Sequence, residues 1–174
     1  MAEATAVATI ECVGCHGVVP DVDGPTHRYM TAAPGCWKAY TELLGGALPP
    51  SPAAGLMVDA YAVTHPGIPG PQSTPSVWVH LVTLCFVLER RWPAAQAIRL
   101  RRAAADGFRG WPWLEPPASM GKVTAIDLAR ALEAGDGTRA VELTRRWVDG
   151  AWAAWAPHHN AVRARVDAIS RSLG

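Results

Sequence analysis

Four cysteines and six histidines are the residues of this 174-residue chain best suited to hold an ion or move a proton. Cys12-Val13-Gly14-Cys15-His16-Gly17 has the form of a zinc knuckle. Two thiolates three positions apart can grip one tetrahedral ion from one side, provided the intervening backbone turns tightly, which the glycines allow. Such a half-site needs two more ligands. Cys36 is the expected third, because it falls in the first turn of an expected helix, where the helix dipole favours a thiolate. The fourth comes from His27, His65 or His80, of which His27 is taken with the three cysteines as the ligand set. The product is a closed Cys3His arrangement, which favours zinc. A redox dithiol fits less well: such a pair opens a helix, whereas Cys15 runs into His-Gly-Val-Val-Pro. Cys85, inside the apolar run Val77–Leu88, reads as core.

The remaining histidines suggest a second kind of chemistry. Asp59, Tyr61 and His65 share an expected helix that must stop near His65, because Pro66 disfavours helical geometry in the residue before it. A protonated imidazole at that C-terminus is favoured by the dipole. His80 interrupts an otherwise apolar helix, and a buried imidazole needs a partner for each nitrogen, for which Asp59 is the obvious carboxylate. His158 and His159 open the last expected helix beside a row of tryptophans. Asp59, His65, His80 and His158 are therefore the candidate catalytic set, since imidazole and carboxylate suit a metal with a position open to water or substrate. Arg99, Arg101 and Arg102 read as solvated helix surface. Of the eight tryptophans, Trp111 and Trp113 are the ones considered for contact with a ligand or partner. The chain has no Gly-rich phosphate loop between strand and helix, no Gly-x-Ser-x-Gly elbow and no His-Glu-x-x-His pair.

The elements that must position these groups are mostly helical. Residues 10–33 carry turn signals at Pro20, Asp23-Gly24-Pro25 and Pro34-Gly35, and read as irregular loop. Helices are expected over Pro34–Leu44 and Leu56–Thr64. A third runs from a Thr74 cap with Pro75 at its first position to Arg90, and a fourth covers Pro93–Ala105. Trp111–Pro117 cannot be helical and reads as an aromatic strap. Thr124 caps a short helix to Ala134, and a long one follows to Ala156, its Thr144, Trp147, Val148, Ala151, Trp152 and Trp155 forming one stripe. A last helix starts at Pro157. No period-2 pattern is long enough to predict a strand. The fold class is mostly α, a single compact helical domain over 1–174, with a knuckle-like loop region at about 10–36 and a helical body at about 34–174.

Composition narrows the setting. The chain is 49% hydrophobic and 18% charged, with a formal net charge of +1, which excludes a disordered chain and a dedicated nucleic-acid binder. The first 88 residues hold six acidic and two basic side chains and the rest nine and 14, so the halves carry about −4 and +5. Val77–Leu88 is shorter than the roughly 20 residues a membrane span needs. Met1–Ile10 contains Glu3 and no Lys or Arg, so the basic start of a secretory signal is missing. Thiols without an export signal point to the cytoplasm. The expected partner is a small molecule, with no nucleic acid and no membrane; the oligomeric state stays open.

The run Cys12-Val-Gly-Cys15, Pro20-Asp-Val-Asp-Gly-Pro-Thr-His27-Arg-Tyr-Met30 and Pro34-Gly-Cys36-Trp37 resembles a bacterial family of small, uncharacterised Cys/His-containing proteins, a domain of unknown function. The similarity continues through Val58-Asp59-Ala-Tyr61-Ala-Val-Thr-His65-Pro66-Gly67, Val79-His80-Leu81, Trp113-Leu-Glu-Pro-Pro117 and Trp155-Ala-Pro-His158-His159, and so covers nearly the whole chain. It implies no activity. The chain departs from the family's pattern in having His16 where Gly often follows the second knuckle cysteine, which makes His16 an extra ligand candidate. It also has Thr64 where Gln often precedes the His-Pro pair. Two readings follow. One is a small metalloenzyme acting on a small molecule, with Asp59 or a spare histidine moving the proton; the surplus of histidines favours it. The other is a binding module whose zinc is purely structural, with a Trp-rich face for a partner.

Overall fold

The computed structural model describes residues 8–104 and 110–172. It opens with an antiparallel hairpin, β1 (Thr9–Glu11) and β2 (Val18–Pro20), with Ile10 opposite Val19. This pair lies inside the stretch expected to be loop. Three-residue strands are too short to show an alternating pattern, and the pairing is imposed by the knuckle turn between them, where Cys12 N–H donates to the Gly17 carbonyl at 2.9 Å.

Seven α-helices follow among the described residues: α1 (Pro34–Glu42), α2 (Met57–Thr64), α3 (Ser73–Leu88), α4 (Ala94–Ala104), α5 (Ala125–Glu133), α6 (Gly137–Ala154) and α7 (His159–Ser172). The mostly helical class is thus observed, with most ends within one or two residues of expectation. The expected end of α4 at Ala105 lies outside the described residues, as does the side chain of Arg102.

Local chemistry explains the boundaries that matter for the site. Pro34 begins α1, where its missing N–H costs nothing. Gly35 lets that helix end sit against β2, since a Cβ there would come within 2.3 Å of the Pro20 carbonyl oxygen. α1 widens into a last turn, Leu43–Ala47, and stops at Gly46 with φ +99°. α2 ends as Pro66 requires, with His65 leaving helical geometry at φ −132°, ψ 57°. Thr124 opens α5 in a capping box, its N–H donating to Asp127 Oδ2 at 2.8 Å.

α3 is the central helix, packed against α2, α4 and α7, with α6 also in contact. Its residues Val77–Phe86 are all buried, which is why its apolar residues show no single stripe. The tryptophan stripe of α6 turns inward as expected, with Trp147 and Trp155 fully buried. Trp155 Nε1 donates to the Val63 carbonyl at 3.0 Å and so ties α6 to α2. The Trp111–Pro117 strap crosses α3, and Trp78 Nε1 donates to the Pro112 carbonyl at 2.7 Å. Among the described residues no helix is long and apolar enough to cross a membrane.

Candidate metal centre

Three pieces of backbone converge on one point. The hairpin turn brings Cys12 and Cys15, the first turn of α1 brings Cys36, and the end of α2 brings His65. One ligand atom from each lies within 4.8 Å of every other. In a tetrahedral zinc site with Zn–S near 2.3 Å and Zn–N near 2.0 Å, sulfurs stand about 3.8 Å apart and sulfur and nitrogen about 3.5 Å. Cys15 Sγ is 3.9 Å from Cys36 Sγ, and Cys36 Sγ is 3.3 Å from His65 Nε2. These two separations match a tetrahedral ion, and the remaining donor pairs lie within 4.8 Å. All four residues are at most 5% exposed.

The surroundings orient the ligands. A carbonyl only accepts, so the 2.9 Å contact between His65 Nδ1 and the Tyr61 oxygen places the proton on Nδ1 and leaves the Nε2 lone pair facing the sulfurs. The imidazole stacks on Tyr61 at 3.9 Å, and Tyr61 stacks on Tyr40 at 3.7 Å. The Tyr61 hydroxyl and the Ala33 N–H point at Cys36 Sγ (3.8 Å) and Cys12 Sγ (3.4 Å).

The knuckle itself is tight. A Cβ on Gly14 would fall 2.2 Å from the Thr31 carbonyl oxygen and 2.5 Å from His65 Cδ2. His16 adopts φ +60°, the left-handed geometry that glycine takes most easily. Its Nδ1 pairs with Glu11 Oε1 at 2.7 Å on the exposed side, so His16 is not a ligand.

The thiols are electrostatically frustrated by themselves. Hydrogen bonds from Cys15 and Cys36 hold Cys12 far below the usual thiol range. The same bonds, with burial, push Cys15 up to about 12 and Cys36 higher still. Three thiolates packed this closely need a divalent cation to balance them.

The clustered residues differ from the expected set at a single position: His65, not His27, lies with Cys12, Cys15 and Cys36. His27 stays within its own loop, where its Nδ1 accepts from Met30 N–H at 3.4 Å and Tyr29 N–H at 3.5 Å. Its ring sits against Tyr29 and Trp37. Burial lowers its pKa. Nor do the four candidate catalytic residues meet in one pocket. His65 lies with the three cysteines. His158 is half-buried, its Nε2 donating to the Glu115 carbonyl at 2.8 Å, which anchors the strap. Its neighbour His159 stacks on Trp152 at 3.8 Å.

Asp59 and His80 do meet: His80 Nδ1 is 2.8 Å from Asp59 Oδ1, with Asp59 fully buried. The same oxygen accepts from Arg101 Nη1 at 2.6 Å. Arg101 is therefore not solvated surface but an inward-facing cation, 13% exposed. The available signal was its position four residues after Ala97, which is 1% exposed and marks the buried side of α4.

A family model described as "Family of unknown function (DUF5946)" matches residues 10–156, which includes all four ligands and the Asp59–His80–Arg101 cluster. No curated protein and no solved structure matches the chain.

Proposed function

The chain belongs to this family of unknown function, and from that premise we propose that it is a zinc-stabilised helical binding protein in which Cys12, Cys15, Cys36 and His65 hold one structural zinc ion. The observation that carries this reading is closure: four protein donor atoms, enough to complete a tetrahedron, lie within 4.8 Å of one another on buried residues. Structural zinc sites are closed in this way, whereas catalytic sites keep a position for water or substrate. A ring and backbone flank the histidine. Tyr61 covers one face of His65, and the knuckle backbone at Gly14 lies against its ring edge. This weighs against a metalloenzyme acting at this ion, the reading favoured by the histidine count alone. A surface cavity of about 690 Å³ lies between α3, α4 and α6 around Leu56, Trp92 and Val148, with none of the four clustered residues in its wall. Thiolate ligands must remain reduced, and on that ground we place the protein in the cytoplasm.

The test is metal analysis of untagged protein purified without chelator, followed by cobalt substitution. The expected result is about one zinc per chain, with a tetrahedral cobalt spectrum that added azide does not change. Metal-free protein with freely reactive thiols would sink the zinc reading. An azide-dependent spectrum would instead reveal an open position and restore the metalloenzyme.

A further inference from the structure

Asp59, His80 and Arg101 lie outside the metal centre and have no part in it. Each comes from a different helix, α2, α3 and α4. Asp59 Oδ1 takes both His80 Nδ1, at 2.8 Å, and Arg101 Nη1, at 2.6 Å. Oδ2, fully buried, has no partner among the described residues. A carboxylate placed only to be satisfied would spread its donors over both oxygens. Two donors on one oxygen instead set an imidazole and a guanidinium side by side. Stability explains the cluster poorly, because buried ion pairs contribute little net stability compared with well-packed apolar residues, and α3 is apolar on either side of His80.

The chemistry of the free atoms defines what the cluster recognises. A carboxylate only accepts, so His80 carries a proton on Nδ1, and the imidazole in its neutral form then offers a lone pair at Nε2. No described residue takes up that lone pair, nor the remaining N–H groups of Arg101. Neither side chain is sealed: His80 keeps 11% and Arg101 13% of its surface. Guanidinium N–H groups bind carboxylate or phosphate oxygens. Nε2 of the Nδ1–H imidazole accepts a hydroxyl proton. We propose that Asp59, His80 and Arg101 form a binding site for a small oxyanion that carries a hydroxyl group, the anion resting on Arg101 and the hydroxyl donating to His80 Nε2. An α-hydroxy carboxylate and a hydrogen phosphate share this chemistry. Asp59 is a positioning residue that fixes the tautomer of His80 and the direction of Arg101.

The experiment titrates zinc-loaded full-length protein with glycolate, acetate and inorganic phosphate, following the imidazole nitrogens by long-range proton–nitrogen correlation. In free protein the His80 signals are those of the Nδ1–H tautomer. Glycolate or phosphate shifts His80 Nε2 with a millimolar dissociation constant, and acetate, which lacks the hydroxyl, binds about tenfold more weakly. Whichever of glycolate and phosphate binds more tightly identifies the source of the oxyanion. Arg101→Gln weakens binding by at least about tenfold with zinc content unchanged, and Arg145→Gln, an exposed α6 control, does not. Asp59→Asn releases the Nδ1–H tautomer and abolishes the preference for glycolate over acetate. Should Asp59→Asn fail to fold, His80→Gln tests the same preference. No His80 shift up to about 20 mM of any probe overturns the proposal, as does equal binding of acetate and glycolate or undiminished binding by Arg101→Gln.

Discussion

Gly14→Ala is the smallest perturbation that separates the metal centre from the rest of the fold. The added Cβ would stand 2.2 Å from the Thr31 carbonyl oxygen and 2.5 Å from His65 Cδ2, whereas ordinary contacts begin at 3.4 Å. Relief requires the knuckle backbone to retreat by about 1 Å or the imidazole to leave its stack on Tyr61. Either movement pulls a ligand out of bonding range of a zinc ion, whose bonds tolerate only about 0.2 Å. Overpacking of this kind costs about 1–3 kcal/mol. That lowers the melting temperature of a chain this size by about 2–12 °C. Because the strain falls between Cys12, Cys15 and His65, most of it should appear as weaker zinc binding, about 10- to 100-fold, measured by competition with a chromophoric chelator. Gly45→Ala is the matched control: nothing lies within 4 Å of its Cβ, and helix propensity predicts a change of less than about 1 kcal/mol, favourable if anything. Unchanged zinc affinity and melting temperature for Gly14→Ala would refute the packing argument and with it the placement of His65 beside the knuckle.

The histidine exchange has its own test: His65→Ala should lose zinc by more than the roughly 10- to 100-fold typical of an outer-shell mutation, while His27→Ala retains wild-type zinc content by elemental analysis. Thiol titration should proceed in stages. The native protein is unreactive, a strong chelator exposes Cys12, Cys15 and Cys36, and Cys85, buried and pushed up to about 12, reacts only after denaturant is added. Reaction of Cys85 together with the others would show that chelation unfolds the whole chain. The third test concerns pH. Arg163 binds Glu89 through both oxygens, at 2.7 and 2.8 Å, and holds its carboxyl below the ordinary value near 4.5. A depressed carboxyl stabilises the fold above that ordinary value and loses the contribution as pH falls through the folded one. Amide-exchange protection of α7 in wild type should exceed that in Glu89→Gln at pH 6, and the gap should close on acidification; a gap independent of pH would refute the pairing.

The knuckle and Cys36 were legible because their signals are local: a Cys-x-x-Cys with turn glycines, and a cysteine in the first turn after Pro34-Gly35. The fourth ligand was not, because it depends on how α2 lies against α1. The stack of Tyr40, Tyr61 and His65 joins residues from two helices separated by a proline-rich loop, and nothing in the order of residues states that contact. His65 did carry a hint in its place before Pro66, where a helix must end and expose its last side chain. The Asp59–His80 pair was readable from the rule that a buried imidazole needs a partner. Arg101 escaped because a run of arginines resembles solvated surface, and only its register with Ala97 marks it as inward. The hairpin escaped because its strands are as short as strands can be.

The four ligands also change the topology of the chain. An ion bound by Cys12 and His65 ties together points about 50 residues apart, with Cys36 pinned between them. In the chain-entropy picture a permanent link closing a loop of that length destabilises the unfolded ensemble by about 4 kcal/mol. Coordination would give this cross-link without an oxidising environment, its strength following the free metal concentration rather than a redox potential. Asp59 sits on the same short helix as His65, six residues earlier. A tie at His65 would therefore also bear on the helix that carries the carboxylate to His80 and Arg101.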